Sequence, residues 1–471
     1  MRRALAALGL AGLVGGACSG DGPAAPVACV DEVATTYVAP AHLDGDHGHV
    51  LRCAPDGALA AADVDRLARS AGYVGEALPS GASIERLVYR TERAGDPARP
   101  GFSSAVVLLP AQPRAALLPV LVVAHGTVGE APGCPPSRED PRGDDTYLAE
   151  LGYPLVGAGY AVILPDYAGY AGYGAPGNPP SGYHDAADEA ASVLDAARAL
   201  RALDPARFSQ DVVLVGHSQG GHAVLSAAAA HATYGSGGQL AGVVAYAPSW
   251  FPMESFGALL ATPADYPIAT SYDTVAATLW YHYAHAELYD GPGQGPLVFA
   301  AAARDAVRAF FEQSCDESAL TALGDNVGDL FDPDFTASVA PAAALGLACR
   351  EDDVVCERWI ARYQADRPHL TGAATHVPIL VVYGDVDDWI PAEREVCGFD
   401  RLASDGADAT VCIVAGAAHD PVVGARAQYV NAWIAAHTLA GPDPGPCGPG
   451  REALRDDAGV RAACAALPPN E

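Results

Sequence analysis

LVGHSQGGHA, residues Leu214 to Ala223, joins an apolar β-branched run to a run of small residues. Upstream stands DVVLV (Asp211 to Val215) and downstream HAVLSAAAAHA (His222 to Ala232), so the order is strand, tight turn, helix. Gly216, His217, Ser218, Gln219 and Gly220 fit G-x-S-x-G in the setting that motif requires. There the serine is held at a strained backbone position, and glycines two residues to either side let the crossing chains pass without Cβ clashes. The helix N-terminus beneath it offers free N–H groups and a positive dipole end to developing negative charge. A chain with 51 glycines can produce this pentapeptide by chance, so its partners must decide.

Working outward, short β-rich runs recur on both sides of the motif. Strands are expected near Ser83–Thr91, Ser104–Pro110, Pro119–His125, Tyr160–Asp166, Asp211–Gly216, Leu240–Ala247, Pro378–Gly384 and Ala409–Gly416. Several are apolar throughout, which suits a mainly parallel sheet buried on both faces. Helical segments such as Asp185–Leu203 fall between them, giving the alternation of an α/β fold. From about Trp250 to Thr375 the alternation stops. The aromatic stretch TLWYHYAHAELY (Thr278 to Tyr289) lies here, and a helical cap inserted between the sixth and seventh strands is expected. The organisation is then 1–18 signal peptide, 19–30 linker, 31–249 first part of the core, 250–375 cap, 376–440 second part of the core and 441–471 C-terminal tail.

The net charge of −30, with no lysine in 471 residues, gives a nucleic-acid surface no electrostatic basis. Arg2 and Arg3 precede an apolar run, Ala4 to Val14, too short to span a bilayer. Cys18 then reads as the lipidated cysteine of a bacterial lipoprotein signal, which would attach the protein to a membrane, or as a neighbour of plain signal cleavage. The remaining ten of 11 cysteines, with no C-x-x-C pair, favour disulfides over metal in an exported protein. Their connectivity is not deducible; closeness along the chain suggests Cys29–Cys53, Cys397–Cys412 and Cys447–Cys464. The second would hold the loop after Gly384 against the last strand. HLDGDHGH (His42 to His49) reads as a polar loop rather than a metal site, its ligands being too closely packed to face one ion.

Nucleophilic catalysis needs a base, a group to orient it and an oxyanion hole. The seventh expected strand ends in GDVDDWIP (Gly384 to Pro391) and the eighth is followed by GAAHDP (Gly416 to Pro421). This places an acid and then His419 after Ser218, the chain order of the α/β-hydrolase arrangement. Asp385, Asp387 and Asp388 compete for the acid. The third strand ends in AHGTVGEAPGC (Ala124 to Cys134), whose Thr127 N–H is the expected oxyanion donor beside the N–H of Gln219.

YRT (Tyr89 to Thr91), AHGTVG followed by Cys134–Ser137, LPDYAGY (Leu164 to Tyr170), GHSQGG and the two C-terminal loops together resemble the secretory lipase family of α/β-hydrolases. In that family's pattern G-x-x-D-x-x-V-P, the resemblance gives the acid's role to Asp387. It implies an eight-stranded α/β-hydrolase fold and an exported serine esterase using Ser218, Asp387 and His419, with no cofactor and no metal. The partner it implies is a small-molecule or lipid ester. A serine peptidase on the same fold, and a non-catalytic surface-binding protein on a hydrolase fold, stand as alternatives.

Overall fold

In the computed structural model the described residues are 25–95, 97–144, 146–450 and 454. The signal segment with Cys18, and Cys464, lie outside them. One sheet organises the chain. Its strands are β1 (Val50–Leu59), β2 (Ala82–Arg93), β3 (Arg99–Pro110), β4 (Leu118–Ala124), β5 (Ala161–Ala168), β6 (Phe208–His217), β7 (Gln239–Tyr246), β8 (Ile379–Gly384) and β9 (Ala409–Val414). They lie in the order β1-β2-β3-β5-β4-β6-β7-β8-β9. From β5 to β9 every pairing is parallel, while β1, β2 and β3 form an antiparallel flank joined to β5.

Eight of these strands coincide with the runs expected from sequence, and β1 is the addition: the sheet has nine strands, not eight. β1 escapes a sequence reading because VLRCAPDGAL carries Pro55 and Gly57, residues depleted in strands. The chain places it at the edge, where proline is tolerated, with register shifts between Val50 and Arg52 and between Pro55 and Ala58. Within the sheet, β4, β5 and β8 are buried along their whole length, which requires cover on both faces.

The helix Ala186–Leu203 begins where expected, because the Asp185 side chain caps it by accepting the Asp188 N–H at 2.8 Å. It packs against the helix Gln219–Tyr234 that follows β6. The C-terminal helix Pro421–Thr438 lays the Trp433 ring against Gly242 of β7, in space a Cβ would occupy.

Between β7 and β8 the chain builds a helical insertion. Helices Tyr272–His285, Arg304–Gln313, Pro333–Leu345 and Val354–Ala365 alternate with short 3₁₀ and π turns. They enclose a second core, rich in aromatic rings. Trp280 stacks on Phe310 and Tyr281 on Tyr363, each pair 9° from parallel.

Four disulfides join described cysteines: Cys29–Cys53, Cys134–Cys315, Cys349–Cys356 and Cys412–Cys447. The first is as expected. Cys412–Cys447 overturns both Cys397–Cys412 and Cys447–Cys464. The reason is that the tail turns back along β9, where Ile413 N–H donates to Pro449 O at 3.0 Å and sets Cys447 beside Cys412. Cys397, on the helix Ala392–Asp405, is disulfide-bonded, but not to Cys412. The His42–His49 stretch is a loop tied to β2 by Gly48 N–H donating to Arg90 O and Arg90 N–H donating to His49 O, both at 2.8 Å.

Candidate active site

The loops that follow β4, β6, β8 and β9 gather at the carboxyl edge of the sheet, where open α/β sheets bind ligands. Ser218 sits between β6 and the helix Gln219–Tyr234 with φ 57° and ψ −116°, a strained conformation for a residue with a side chain. The glycines around it are sterically required. A Cβ on Gly216 would lie 2.0 Å from the Gly220 carbonyl oxygen, and one on Gly220 would lie 2.0 Å from that of Ala124. The Ser218 N–H donates to Tyr246 O at 2.9 Å, which anchors the turn to β7. Gln219 opens the helix, so its own N–H has no intrahelical acceptor.

After β8 and β9, Asp387 and His419 meet: Nδ1 of His419 lies 2.8 Å from Oδ2 of Asp387. The other Asp387 oxygen accepts the N–H groups of Trp389 at 2.9 Å and Ile390 at 2.8 Å, so the carboxylate is fixed at both ends. Of the three competing acids only Asp387 touches the histidine. Asp385 accepts the Gly416 N–H at 2.6 Å instead, and Asp388 lines the neighbouring pocket. With its Nδ1 proton directed at Asp387, His419 presents Nε2 as an acceptor, and that atom is buried without a partner. The indole of Trp389 stacks on the imidazole at 15°. The adjacent His217 is fully buried, and burial with His419 facing it holds its pKa well below the usual histidine range.

Ser218 and Thr127 open into a pocket of about 170 Å³. Tyr183, Phe256 and Trp280 supply apolar wall, while Asp273, Glu317, Asp388 and Arg394 supply charge. The loop bearing Thr127 is braced on three sides. Its Oγ1 lies 2.9 Å from the Tyr183 hydroxyl, the Tyr170 hydroxyl donates to Gly129 O at 2.7 Å, and Cys134 is bonded to Cys315 of the insertion.

A support beneath the elbow was not foreseen. Glu189, fully buried, accepts from Gln219 Nε2 at 2.8 Å and faces His222 Nδ1 at 2.7 Å, and burial raises its pKa. Glu189 lies in the first turn of its helix, where acids are common, so nothing local in the sequence separates this role from helix capping. Tyr183 and Arg394 were missed for the same reason: they reach the pocket from distant parts of the chain.

An α/β hydrolase family model matches residues 120–433. No curated protein matches the chain. Among solved structures, a putative hydrolase from Legionella pneumophila superposes with a TM-score of 0.65 at 15% identity, covering 83% of this chain and 99% of that one. Candida antarctica lipase A in its closed state gives 0.63 at 15% identity, covering 93% and 96%. The rice cell wall degrading esterase LipA from Xanthomonas oryzae gives 0.60 at 18% identity, covering 84% and 99%. These likenesses carry the fold, and the sequence match extends over two thirds of the chain: the protein belongs to the α/β hydrolase family.

Proposed function

We propose that the protein is an exported serine hydrolase that cleaves carboxylic esters of short to medium acyl chain. The observation that carries this reading is the Asp387–His419 contact, with an unpartnered Nε2, at the same sheet edge as the strained Ser218. His419 takes the Ser218 proton as the hydroxyl attacks the ester carbonyl, while Asp387 orients the imidazole and stabilises its cation. The N–H groups of Gln219 and Thr127 hold the oxyanion. His419 then protonates the leaving alcohol, and water releases the acyl group by the same route in reverse.

The small, partly polar pocket supports the chain-length preference, since each buried methylene gains about 0.8 kcal/mol only while there is room for it. Four disulfides among the described residues support export, as do the features of residues 1–18, which lie outside them. Insertion residues 250–375 serve as the cap, contributing Phe256 and Trp280 to the acyl side of the pocket.

The test is the specificity constant on nitrophenyl esters of increasing chain length beside aminoacyl nitroanilides. A maximum at short to medium esters is expected. Amide cleavage without ester cleavage would replace this reading by a peptidase, and a maximum at long chains would remove the stated preference.

A further inference from the structure

Under the insertion, behind the His184 wall of the Ser218 pocket and outside its lining, Asp185, His285 and Asp366 converge. Their ligand atoms, one from each residue, all lie within 4.8 Å of one another, and all three side chains are buried. Asp185 caps the core helix Ala186–Leu203, His285 ends the insertion helix Tyr272–His285, and Asp366 follows the insertion helix Val354–Ala365.

The hydrogen bonds around the three side chains set His285 Nε2 between the two carboxylates and bind it to Asp366 Oδ2. His285 Nδ1 lies 2.8 Å from the Tyr281 carbonyl oxygen, which can only accept, so Nδ1 carries the proton and Nε2 faces the two carboxylates. Nε2 is 2.9 Å from Asp366 Oδ2 and 3.6 Å from Asp185 Oδ2. Asp366 Oδ1 accepts the Ala186 N–H at 3.0 Å, and Oδ2 accepts the Tyr281 hydroxyl at 2.6 Å. Asp185 spends Oδ1 on the Asp188 N–H, whereas Oδ2 is buried without a hydrogen bond of good geometry, and the Tyr289 side chain also interacts with the carboxyl.

We propose that Asp185, His285 and Asp366 form a binding site for a divalent transition-metal ion, zinc in the first instance. A tetrahedral zinc with ligands at about 2.0–2.2 Å spaces neighbouring donor atoms about 3.3–3.6 Å apart. The 3.6 Å between His285 Nε2 and Asp185 Oδ2 meets that, and the 2.9 Å hydrogen bond to Asp366 Oδ2 would open by about half an ångström as the ion replaces its proton. The donor set of one imidazole and two carboxylates suits that ion. The outer contacts also match: a metal-bound histidine donates its other N–H to a backbone carbonyl, and bound carboxylates accept further hydrogen bonds. Without a metal the His285 imidazolium is the cationic partner of these buried carboxylates, Nε2–H donating to Asp366 Oδ2, and a bound ion would take over that place. Nearby Arg362 is engaged instead with Asp290, at 2.5 and 3.1 Å. A metal ion here clamps the insertion onto the core helix and has no part in the ester chemistry.

The experiment takes the full chain, produced with zinc in the medium, and measures metal content by mass spectrometry, then thermal unfolding before and after stripping with dipicolinate. Close to one equivalent of zinc is expected. Stripping lowers the unfolding temperature, and zinc chloride restores it where magnesium chloride does not. Asp185→Asn keeps the helix cap and removes one ligand charge; it and His285→Gln should lose both the zinc and its effect on unfolding. Stripped wild-type protein that neither takes up zinc nor gains thermal stability from it would overturn the proposal, as would variants that bind zinc like the wild type. Ester turnover of the Asp185→Asn protein, followed in parallel, reads the Ser218 site separately.

Discussion

The sheet and the insertion are cores of different kinds. The sheet buries mostly aliphatic residues such as Val122, Leu214 and Val381, repeating along straight strands whose neighbours are fixed by hydrogen-bond register. The insertion buries Trp280, Tyr281, Phe311, Trp359 and Tyr363 among helices of 10 to 14 residues joined by short 3₁₀ and π turns. A pleated surface accepts branched side chains in a regular lattice. Short helices meeting at uneven angles leave irregular gaps, which large flat rings fill by stacking. The sheet edge therefore holds Ser218, Asp387 and His419 in fixed positions, and the insertion supplies Phe256 and Trp280 to the pocket beside Ser218.

If that division holds, the most damaging changes to turnover lie on the sheet edge and leave the fold alone. Ser218→Ala is expected to cost roughly 10⁴ to 10⁶ in kcat with unchanged thermal unfolding, because the covalent route is lost and only oxyanion stabilisation remains. Near wild-type turnover in the purified variant would break the comparison at its centre. Asp387→Asn should cost roughly 10³ to 10⁴, since it removes the acceptor that holds His419 Nδ1. Asp385→Asn and Asp388→Asn serve as controls and should cost far less; a dead Asp385→Asn protein beside an active Asp387→Asn protein would move the acid to the other loop position.

Trp280→Ala sharpens the contrast from the insertion side. Removing a fully buried ring that stacks on Phe310 should destabilise by about 3–5 kcal/mol. In the same variant the preferred acyl chain should lengthen, because Trp280 lines the pocket. Denaturant unfolding followed by tryptophan fluorescence and by far-ultraviolet circular dichroism tells whether the two cores melt together. One shared transition is expected; a separate early transition for the insertion would show two independent folding units.

The smallest expected effect is a pH dependence on the core side. Burial, offset in part by the Tyr147 and Leu148 N–H groups it accepts, pushes the Glu139 carboxyl up to about 7. Between the ordinary carboxyl range and that value the folded chain keeps a proton that the unfolded chain has released. Stability contributed by this group is thus full at low pH and lost as pH rises towards about 7, by at most about 3 kcal/mol. Glu139→Gln should flatten the slope of unfolding free energy against pH over that window; an unchanged slope would assign the proton elsewhere.

What could be read from the chain follows the same division. The elbow at Ser218 is local: strand, turn and helix sit within about 25 consecutive residues, and the glycines announce the close approaches that the structure contains. His419 and an acid after β8 could be expected from sequence because each follows a largely apolar strand and strand order brings the two loops together, but three aspartates competed there and only the family resemblance pointed to Asp387. β1 was not legible, since an edge strand with proline and bulges carries no alternation. The bond between Cys412 and Cys447 depends on how the tail returns to β9, a long-range event with no local signal. Glu189, Asp185 and Asp366 look like ordinary helix-end acids until the insertion folds over them.

The Cys134–Cys315 bridge has a consequence for damage tolerance. It closes a covalent ring of the chain that contains β5, β6, Ser218, β7 and more than half of the insertion. A single cut by a foreign protease anywhere between those cysteines opens the ring without releasing a fragment, so the nicked molecule keeps its parts at one another's effective concentration and can hold its shape. Wherever proteases meet the folded chain, such a closure keeps Ser218 and its surrounding strands in one molecule after the backbone is broken.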